Sequence, residues 1–509
     1  MYPNETSLIE REPATGRRRE ITWLEFENLA NRFAHALMAR GIGQGDKVAL
    51  LMMNCLEWLP IYFGILKTGA LAVPLNFRFT GEEIRKCVEV AEAKVLVYGP
   101  EFVERIAEIR DGLRHIESLI FVGEGCPDEA ESFVEMVAGL SAAAPGVNIC
   151  DEDEAALYFT SGTTGIPKPI ILTHANLVSA CVTENRHHLQ HHGDNFLCIP
   201  PLYHTGAKMH WFGSLLVGSK AVILRGVNPR WILEAVSEER ATIVWLLVPW
   251  AQDILDAIES REVDLKDYHL EQWRLMHIGA QPVPPSLIRR WKKYFPEQMY
   301  DTNYGLSEST GPGCVHLGIE NIHKVGAIGV RGFNWEAMIV DDEGKPVPKG
   351  KVGELIVRGP GIMKGYYKNP EATSSVLKNG WLYTGDMARQ DEDGFIYLVD
   401  RKKDIVISGG ENIFPVEIED FLRGHGDIKD AAVIGMPDRR LGEVPVAIVE
   451  NKPGRELTEE MVLEFCQALP KYKRPRKVFF DKVPRNPTGK IEKPKLREKF
   501  CTEKVICLV

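Results

Sequence analysis

Residues 158–169 read YFTSGTTGIPKP, and the fold turns on how they are read. Three threonines, one serine and two glycines crowd ahead of Lys168, with no acid among them. The stretch follows the strand-like run ALYFT and precedes THANLVSACVTE, which predicts a helix from about Thr173. Glycine lets a chain turn sharply and brings backbone amides close to a ligand. Successive N–H groups and hydroxyls donate to anionic oxygens, and a lysine adds a compact point charge. These are the parts of a phosphate cradle. The nucleotide loop G-x-x-x-x-G-K-[ST] is not matched, because Pro167 and Pro169 flank the lysine. Taken alone, the stretch reads equally well as a polar turn between a strand and a helix.

Strand and helix patterns alternate around it. Thr22 with Glu25 and Thr80 with Glu83 form capping boxes that open helices. In the first, Leu29, Ala30, Phe33, Ala34 and Leu37 fall on one face. Short apolar runs at 47–53, 94–99, 243–248 and 274–279 predict buried strands. This order predicts parallel sheets flanked by helices. After about residue 320 the texture changes, and residues 337–359 predict an antiparallel β region. A boundary falls near residue 400, followed by a strand at 405–407, a Gly-Gly loop and a helix near 415–423. Thr458 then caps a helix with Met461, Val462, Phe465, Cys466 and Leu469 on one side.

Composition narrows the function. The chain has 509 residues and a net charge of −10, which argues against a dedicated nucleic-acid binder. Ten scattered cysteines without a CxxC pair suggest neither a zinc ribbon nor a disulfide framework, and free thiols fit a reducing cytoplasm. The polar start MYPNETSLIEREP is not a signal peptide, and no apolar run is long enough to span a bilayer. Residues 471–504 carry 13 Lys or Arg against 4 Asp or Glu. Composition alone makes that tail a solvated basic surface; the functional reading is a patch that meets phosphate.

The opening stretch is not alone. In chain order follow PLYHTG (201–206), IGAQP (278–282), NYGLSES (303–309), LYTGDMA (382–388), DRKKDIVISGGENIFPVEIE (400–419) and PRNPTGKIEK (484–493). Together they resemble the signatures of the adenylate-forming superfamily: acyl-CoA and aryl-CoA synthetases, firefly luciferase and nonribosomal peptide adenylation domains. The resemblance runs from about residue 20 to about residue 495. Members usually carry extra residues ahead of the ITWLEF helix, so against that pattern the chain starts late.

The resemblance implies an α/β fold. A large N-terminal domain (1–399) of doubly wound sheets with a β-barrel-like region would precede a small, mobile α+β domain (400–509), with a hinge near 400–404. It implies ATP and coenzyme A as co-substrates, Mg²⁺ as cofactor and a small carboxylic acid as substrate. Thr160, Ser161, Gly162, Thr163, Thr164, Gly165 and Lys168 would line the phosphates. Tyr304 would lie against adenine, with Gly279, Ala280, Gln281, Asn303 and Gly305 nearby. Glu308, with Thr163, would hold Mg²⁺. Ser307 keeps the hydroxyl of the threonine found in many relatives. Asp386 would accept from the ribose hydroxyls, with Arg401 beside it. Lys490 would bridge the carboxylate and the α-phosphoryl oxygens.

Lys403 aligns with the family's hinge residue. Gly409 and Gly410 would border the pantetheine tunnel, and Lys471 and Lys473 would meet the coenzyme A phosphates. No acid accompanies Tyr203–His204, where amino-acid activators carry an aspartate for the substrate amine. Acetate-specific members place a tryptophan where Gly305 stands, so Gly305 implies room for a larger acid. His204 would lie at the pocket mouth. Trp211, Phe212 and Trp250 read as pocket or core. A medium- or long-chain fatty acid is the favoured substrate, an aryl carboxylate the next. A luciferase-like oxygenase, an enzyme loading a separate carrier protein, a nucleotide sensor and a P-loop NTPase are the rival classes. One cluster stands apart: HHLQHH (187–192) spaces His187 and His191, and His188 and His192, one helical turn apart. With no carboxylate or cysteine adjacent, it reads as a solvated helix end.

Overall fold

The structure, a computed structural model, describes residues 2–160, 168–279, 283–409, 411–485 and 491–501. The caps predicted at Thr22, Thr80 and Thr458 form, and Thr173, where a helix start was expected, caps its helix too. Thr22, Thr80 and Thr173 each accept from the backbone of the residue three ahead, and that residue's side chain returns the bond. Each such cap is worth about 0.5–2 kcal/mol. The helices they open are Trp23–Met38, Gly81–Ala91 and His174–His188.

Two large sheets carry the N-terminal part. One has eight strands, in the order Gly365–Tyr366, Lys168–Thr173, Glu154–Thr160, Leu71–Pro74, Lys47–Leu51, Val95–Tyr98, Ser118–Phe121 and Glu131–Ser132. It is parallel from Glu154–Thr160 outward and antiparallel over its first three strands. The other has seven: Met299–Asp301, Leu275–Gly279, Ile243–Leu247, Asn195–Cys198, Lys220–Leu224, Thr6–Glu12 and Arg17–Thr22, with only the last pair antiparallel. Residues ahead of the first predicted helix thus form a hairpin on this sheet.

One apolar core joins the two sheets. Helix Trp58–Leu66 is apolar on every side and buried at all positions but Phe63. Its Trp58 and Tyr62 lie in the same cluster as Phe33, Val48, Phe196 and Trp211. Burying side chains of this size contributes about 1.5–3 kcal/mol each.

The change of texture after residue 320 is real. Glu336–Val340, Gly353–Arg358, Trp381–Gln390 and Ile396–Arg401 pair antiparallel in turn. A smaller antiparallel sheet holds Asn303–Leu306, Gly311–His316 and Val330–Arg331. The backbones run so close here that a Cβ on Gly329 would lie 1.8 Å from the His316 carbonyl oxygen. Beyond residue 405 a separate domain is built on the long hairpin Ile428–Asp438 and Gly442–Asn451. It carries helices Pro415–Arg423, Glu459–Phe465 and Lys493–Phe500. Val462 and Cys466 face its core as expected, but Met461, in the first helical turn at the margin of the apolar stripe, is exposed.

Candidate active site

Strand Glu154–Thr160 carries Thr160 to its end, and Lys168 opens the strand that returns beside it. The expected passage from strand through loop to helix therefore contains one more strand, Lys168–Thr173, before the helix. Thr160 Oγ1 donates to the Lys168 carbonyl at 3.3 Å and closes the hairpin beneath the loop. Ser161, Gly162, Thr163, Thr164 and Gly165 lie outside the described residues, as do Ala280, Gln281, Gly410 and Lys490.

Lys168 Nζ stands 5.5 Å from the centre of the Tyr366 ring. The same tyrosine donates its hydroxyl to Glu308 Oε1 at 2.9 Å. Burial, then the Glu308 charge, pushes the Tyr366 phenol up, so it remains a donor. Tyr366 thus couples the loop lysine to the candidate metal carboxylate, a role that the string KGYYKNP did not announce. Glu308 and Ser307 share one 3₁₀ turn, which Met363 holds by donating its N–H to the Glu308 carbonyl at 2.8 Å. A carboxylate held by Tyr366, near which Lys168 stands, suits a hard cation that keeps most of its oxygen ligands from water and phosphate.

Tyr304 follows on the strand Asn303–Leu306 and is buried. Its hydroxyl donates to Asp386 Oδ2 at 2.6 Å. Burial and then the Asp386 charge hold the phenol well above its ordinary value. Asp386 and Arg401 face each other across paired strands, with Arg401 Nε 3.2 Å from Asp386 Oδ1. Asp386, Arg401 and Lys403 line a cleft of about 390 Å³ with Thr384, Gly385 and Lys402. Burial, then the neighbouring Arg401, lowers the Lys403 ammonium. A larger cleft of about 710 Å³ opens near Arg186, His187, Phe333 and Trp335, but none of the residues expected to bind ATP, coenzyme A or the acid lines it.

Gly279 ends its strand beside Asn303: a Cβ there would lie 3.9 Å from Asn303 Oδ1. Gly305 lies opposite Pro312 just past a bulge. His204 precedes helix Thr205–Val217 with its ring 4.3 Å from that of Tyr203. The loop that presents it is pinned by Asn54, whose amide donates to the Pro200 carbonyl at 2.9 Å and accepts from Leu202 N at 2.8 Å. A polar residue just after a buried strand, in MMNCLEW, is the signal that could have flagged Asn54. Trp211 and Phe212 are core side chains, packed on Phe26 and Phe63, and Trp250 packs on the second apolar cluster.

In the C-terminal domain, Gly409 has a φ of +60° and donates to the Leu441 carbonyl at 2.8 Å. Lys473 is ion-paired with Glu417, so this part of the basic tail is partly neutralised, while Lys471 is exposed. The HHLQHH reading needs correction. Leu189 takes a left-handed conformation (φ 50°) and ends the helix at His188, so the two i, i+4 histidine pairs never form. His187 stacks on His316 with centroids 3.9 Å apart, and burial, then His316, lowers its pKa to about 3. His188 is fully buried, with Glu184 one turn before it.

Comparison with known proteins matches this arrangement. The family profile described as AMP-binding enzyme covers residues 1–367, and that of the AMP-binding enzyme C-terminal domain covers 417–490. A feruloyl-CoA synthase of Amycolatopsis sp is 35% identical over 94% of each chain. A long-chain-fatty-acid–CoA ligase of Mycobacterium tuberculosis is 33% identical, over 96% of this chain and 94% of its own. The crystal structure of ATP-bound MatB from Rhodopseudomonas palustris superimposes with a TM-score of 0.88 at 29% identity, covering 99% of this chain and 97% of that one. The chain therefore belongs to the AMP-binding enzyme family, the adenylate-forming superfamily, among its AMP-forming acid–CoA ligases.

Proposed function

We propose that this ligase joins a fatty or aryl carboxylic acid to coenzyme A through an acyl-adenylate, using the residues gathered above. The carboxylate oxygen attacks the α-phosphorus of ATP, the bond to the β-phosphoryl oxygen breaks, and pyrophosphate leaves. The thiolate of coenzyme A then attacks the acyl carbon and AMP departs. The first step needs no general base, because the acid is ionised at pH 7. Its barrier is one of charge and alignment, so cations and oriented donors dominate.

The observation that carries this reading is the Asp386 carboxylate at the cleft wall. It accepts from Tyr304 and is paired with Arg401, yet a carboxylate has about four acceptor sites. The remainder suit the two ribose hydroxyls, with the Tyr304 ring against adenine. Thr160, Lys168 and the loop between them take the phosphates. Glu308 holds Mg²⁺, which when bound neutralises phosphate charge. Lys490 bridges the reacting oxygens. Lys403 acts as the hinge about which the small domain turns between half-reactions, bringing Gly409 and Gly410 to the pantetheine and Lys473 to the coenzyme A phosphates.

For the acid, two classes stand level. Gly305 and the fatty-acid ligase relative support a medium- or long-chain fatty acid; the feruloyl-CoA synthase relative supports an aryl carboxylate. His204 stands at the mouth of that pocket. Pyrophosphate release across acids of graded length and ring content, with and without coenzyme A, tests both substrate and acceptor. A thioester formed only with a carrier protein would replace coenzyme A; release without any acid would defeat the reading.

A further inference from the structure

Asn303 and Tyr304 are neighbours in the strand Asn303–Leu306, but they serve opposite sides of it. Successive side chains of a strand point to opposite faces. Tyr304 reaches Asp386. Asn303 reaches the other way, and its amide nitrogen donates to Glu184 Oε1 on helix His174–His188. The resemblance sets Asn303 near adenine; the alternation groups it with Gly305, two places along and expected in the acid pocket. The bulge in this strand pair falls on the partner strand, so the alternation is kept. His204 is brought to the same wall. It precedes helix Thr205–Val217, and a Cβ on Gly311, the residue paired with Leu306, would lie 3.1 Å from Gly206 N.

With the amide nitrogen turned to Glu184, the oxygen of Asn303 is left toward Gly279. A Cβ on Gly279 would find room, and its three nearest atoms would all be polar: His277 Nε2 and Trp245 Nε1 at 3.8 Å and Asn303 Oδ1 at 3.9 Å. His277 and Trp245 are buried, whereas Asn303 is partly exposed, so Asn303 is the polar group that an entering acid meets. An alkyl chain laid there would take water from the amide oxygen and return no hydrogen bond. The Trp245 indole and the bare positions Gly279 and Gly305 leave a slot that suits a flat ring.

The wall behind Asn303 is closed. Glu184, His188, His277 and His316 are each 0% exposed. His188 Nδ1 lies 3.2 Å and His277 Nδ1 3.9 Å from Glu184 Oε2, and His316 Nε2 lies 3.6 Å from Glu184 Oε1. Burial lowers the His316 pKa, but Glu184 and Asp301 outweigh it and raise the ring above its ordinary value, so protons hold this cluster together. A long chain finds no way on past these four side chains.

We propose that Asn303 sets the acid specificity: its Oδ1 accepts a hydrogen bond from a hydroxyl or amino group on the ring of an aryl acid, so that donor-bearing aryl acids are the substrates and plain fatty acids are not. The inference rests on the acid–ligase reading above and narrows its two substrate classes to one. An amide oxygen only accepts, so a ring substituent that cannot donate gains nothing from it.

The test is acid-dependent exchange between pyrophosphate and ATP. One series is an aryl acid carrying hydrogen, hydroxyl, amino or methoxy at each ring position in turn; the other is saturated fatty acids from short to long. The expected result is a kcat/KM about tenfold or more above the unsubstituted ring for hydroxyl or amino at one position, with no gain for methoxy there. Asn303→Leu and Asn303→Ala are expected to lose that preference with the KM for ATP unchanged, whereas structural damage would lower all acids alike. Fatty acids used better than every donor-bearing ring would overturn the inference and leave the acid–ligase reading standing. A variant that keeps the preference, or that loses ATP affinity in its place, would overturn it as well. Exchange with no acid of either series would overturn both. The wild-type series decides the substrate class even if the variants fail to fold.

Discussion

The Tyr304 hydroxyl donates to Asp386 Oδ2 at 2.6 Å, joining residues 82 positions apart in the chain. A hydrogen bond to a charged group contributes about 1.5–3 kcal/mol. Here it also aims the carboxylate toward the cleft shared with Arg401 and Lys403. Tyr304→Phe keeps the ring and removes the donor. Its KM for ATP is expected to rise about tenfold, with the KM for the acid little changed. Initial-rate kinetics with each substrate varied in turn would show it; an unchanged ATP KM would remove Tyr304 from the nucleotide site.

Glu308 and Tyr366 separate a metal role from a packing role. Glu308→Gln keeps the shape and an acceptor for the Tyr366 hydroxyl but loses the charge. Adenylation is expected to fall by about a hundredfold or more, with the Mg²⁺ concentration at half-maximal rate displaced upward. Tyr366→Phe leaves the carboxylate in place and is expected to cost only a few-fold. Pyrophosphate release titrated with Mg²⁺ measures both, and equal losses would point to packing.

The two half-reactions are expected to respond to different lysines. Lys490→Ala should lose adenylation by roughly two to four decades while leaving thioester formation from preformed acyl-adenylate largely intact. Lys403→Pro stiffens the expected hinge and should slow the thioester step more than adenylation. Single-turnover measurements of each step decide; losses of equal size in both steps would discard the division of labour.

Stability has its own pH signature at Asp194. The buried carboxylate receives two hydrogen bonds from Arg274, at 2.7 and 2.8 Å, and others from His191 N and Thr242 Oγ1. Burial alone would raise its pKa, but Arg274 and the other donors outweigh burial and lower it. A lowered carboxyl contributes stability that is present above its unfolded-state pKa and is lost as pH falls through the folded value. Asp194→Asn is expected to cost ~3–5 kcal/mol at pH 7 and less as the pH drops below about 4. Denaturant unfolding of wild type and variant at both pH values checks the sign; a penalty that grows on acidification would contradict it.

Local signals carried much of this structure. The capping boxes at Thr22 and Thr80 formed because cap, partner and apolar face all lie within a few residues. The motifs that supply Tyr304, Asp386 and Arg401 could be recognised one by one, and the structure brings those three side chains together. Relationships between distant segments were not legible. Strand Lys168–Thr173 depends on pairing back across the loop to Glu154–Thr160. The histidine run was misjudged because Leu189 ends the helix and because the partners of His188 include Asp301, 113 residues away. Asn54 and Tyr366 act by bridging segments, which no spacing rule exposes.

The proposed reaction begins when the clustered residues convert a carboxylic acid and ATP into an acyl-adenylate and pyrophosphate. Isotope exchange between pyrophosphate and ATP, in the absence of coenzyme A, measures that step alone. Exchange is expected to depend on a fatty or aryl acid and to disappear in Asp386→Ala. Cleavage of ATP to ADP and phosphate, with no acid required and no exchange, would contradict it.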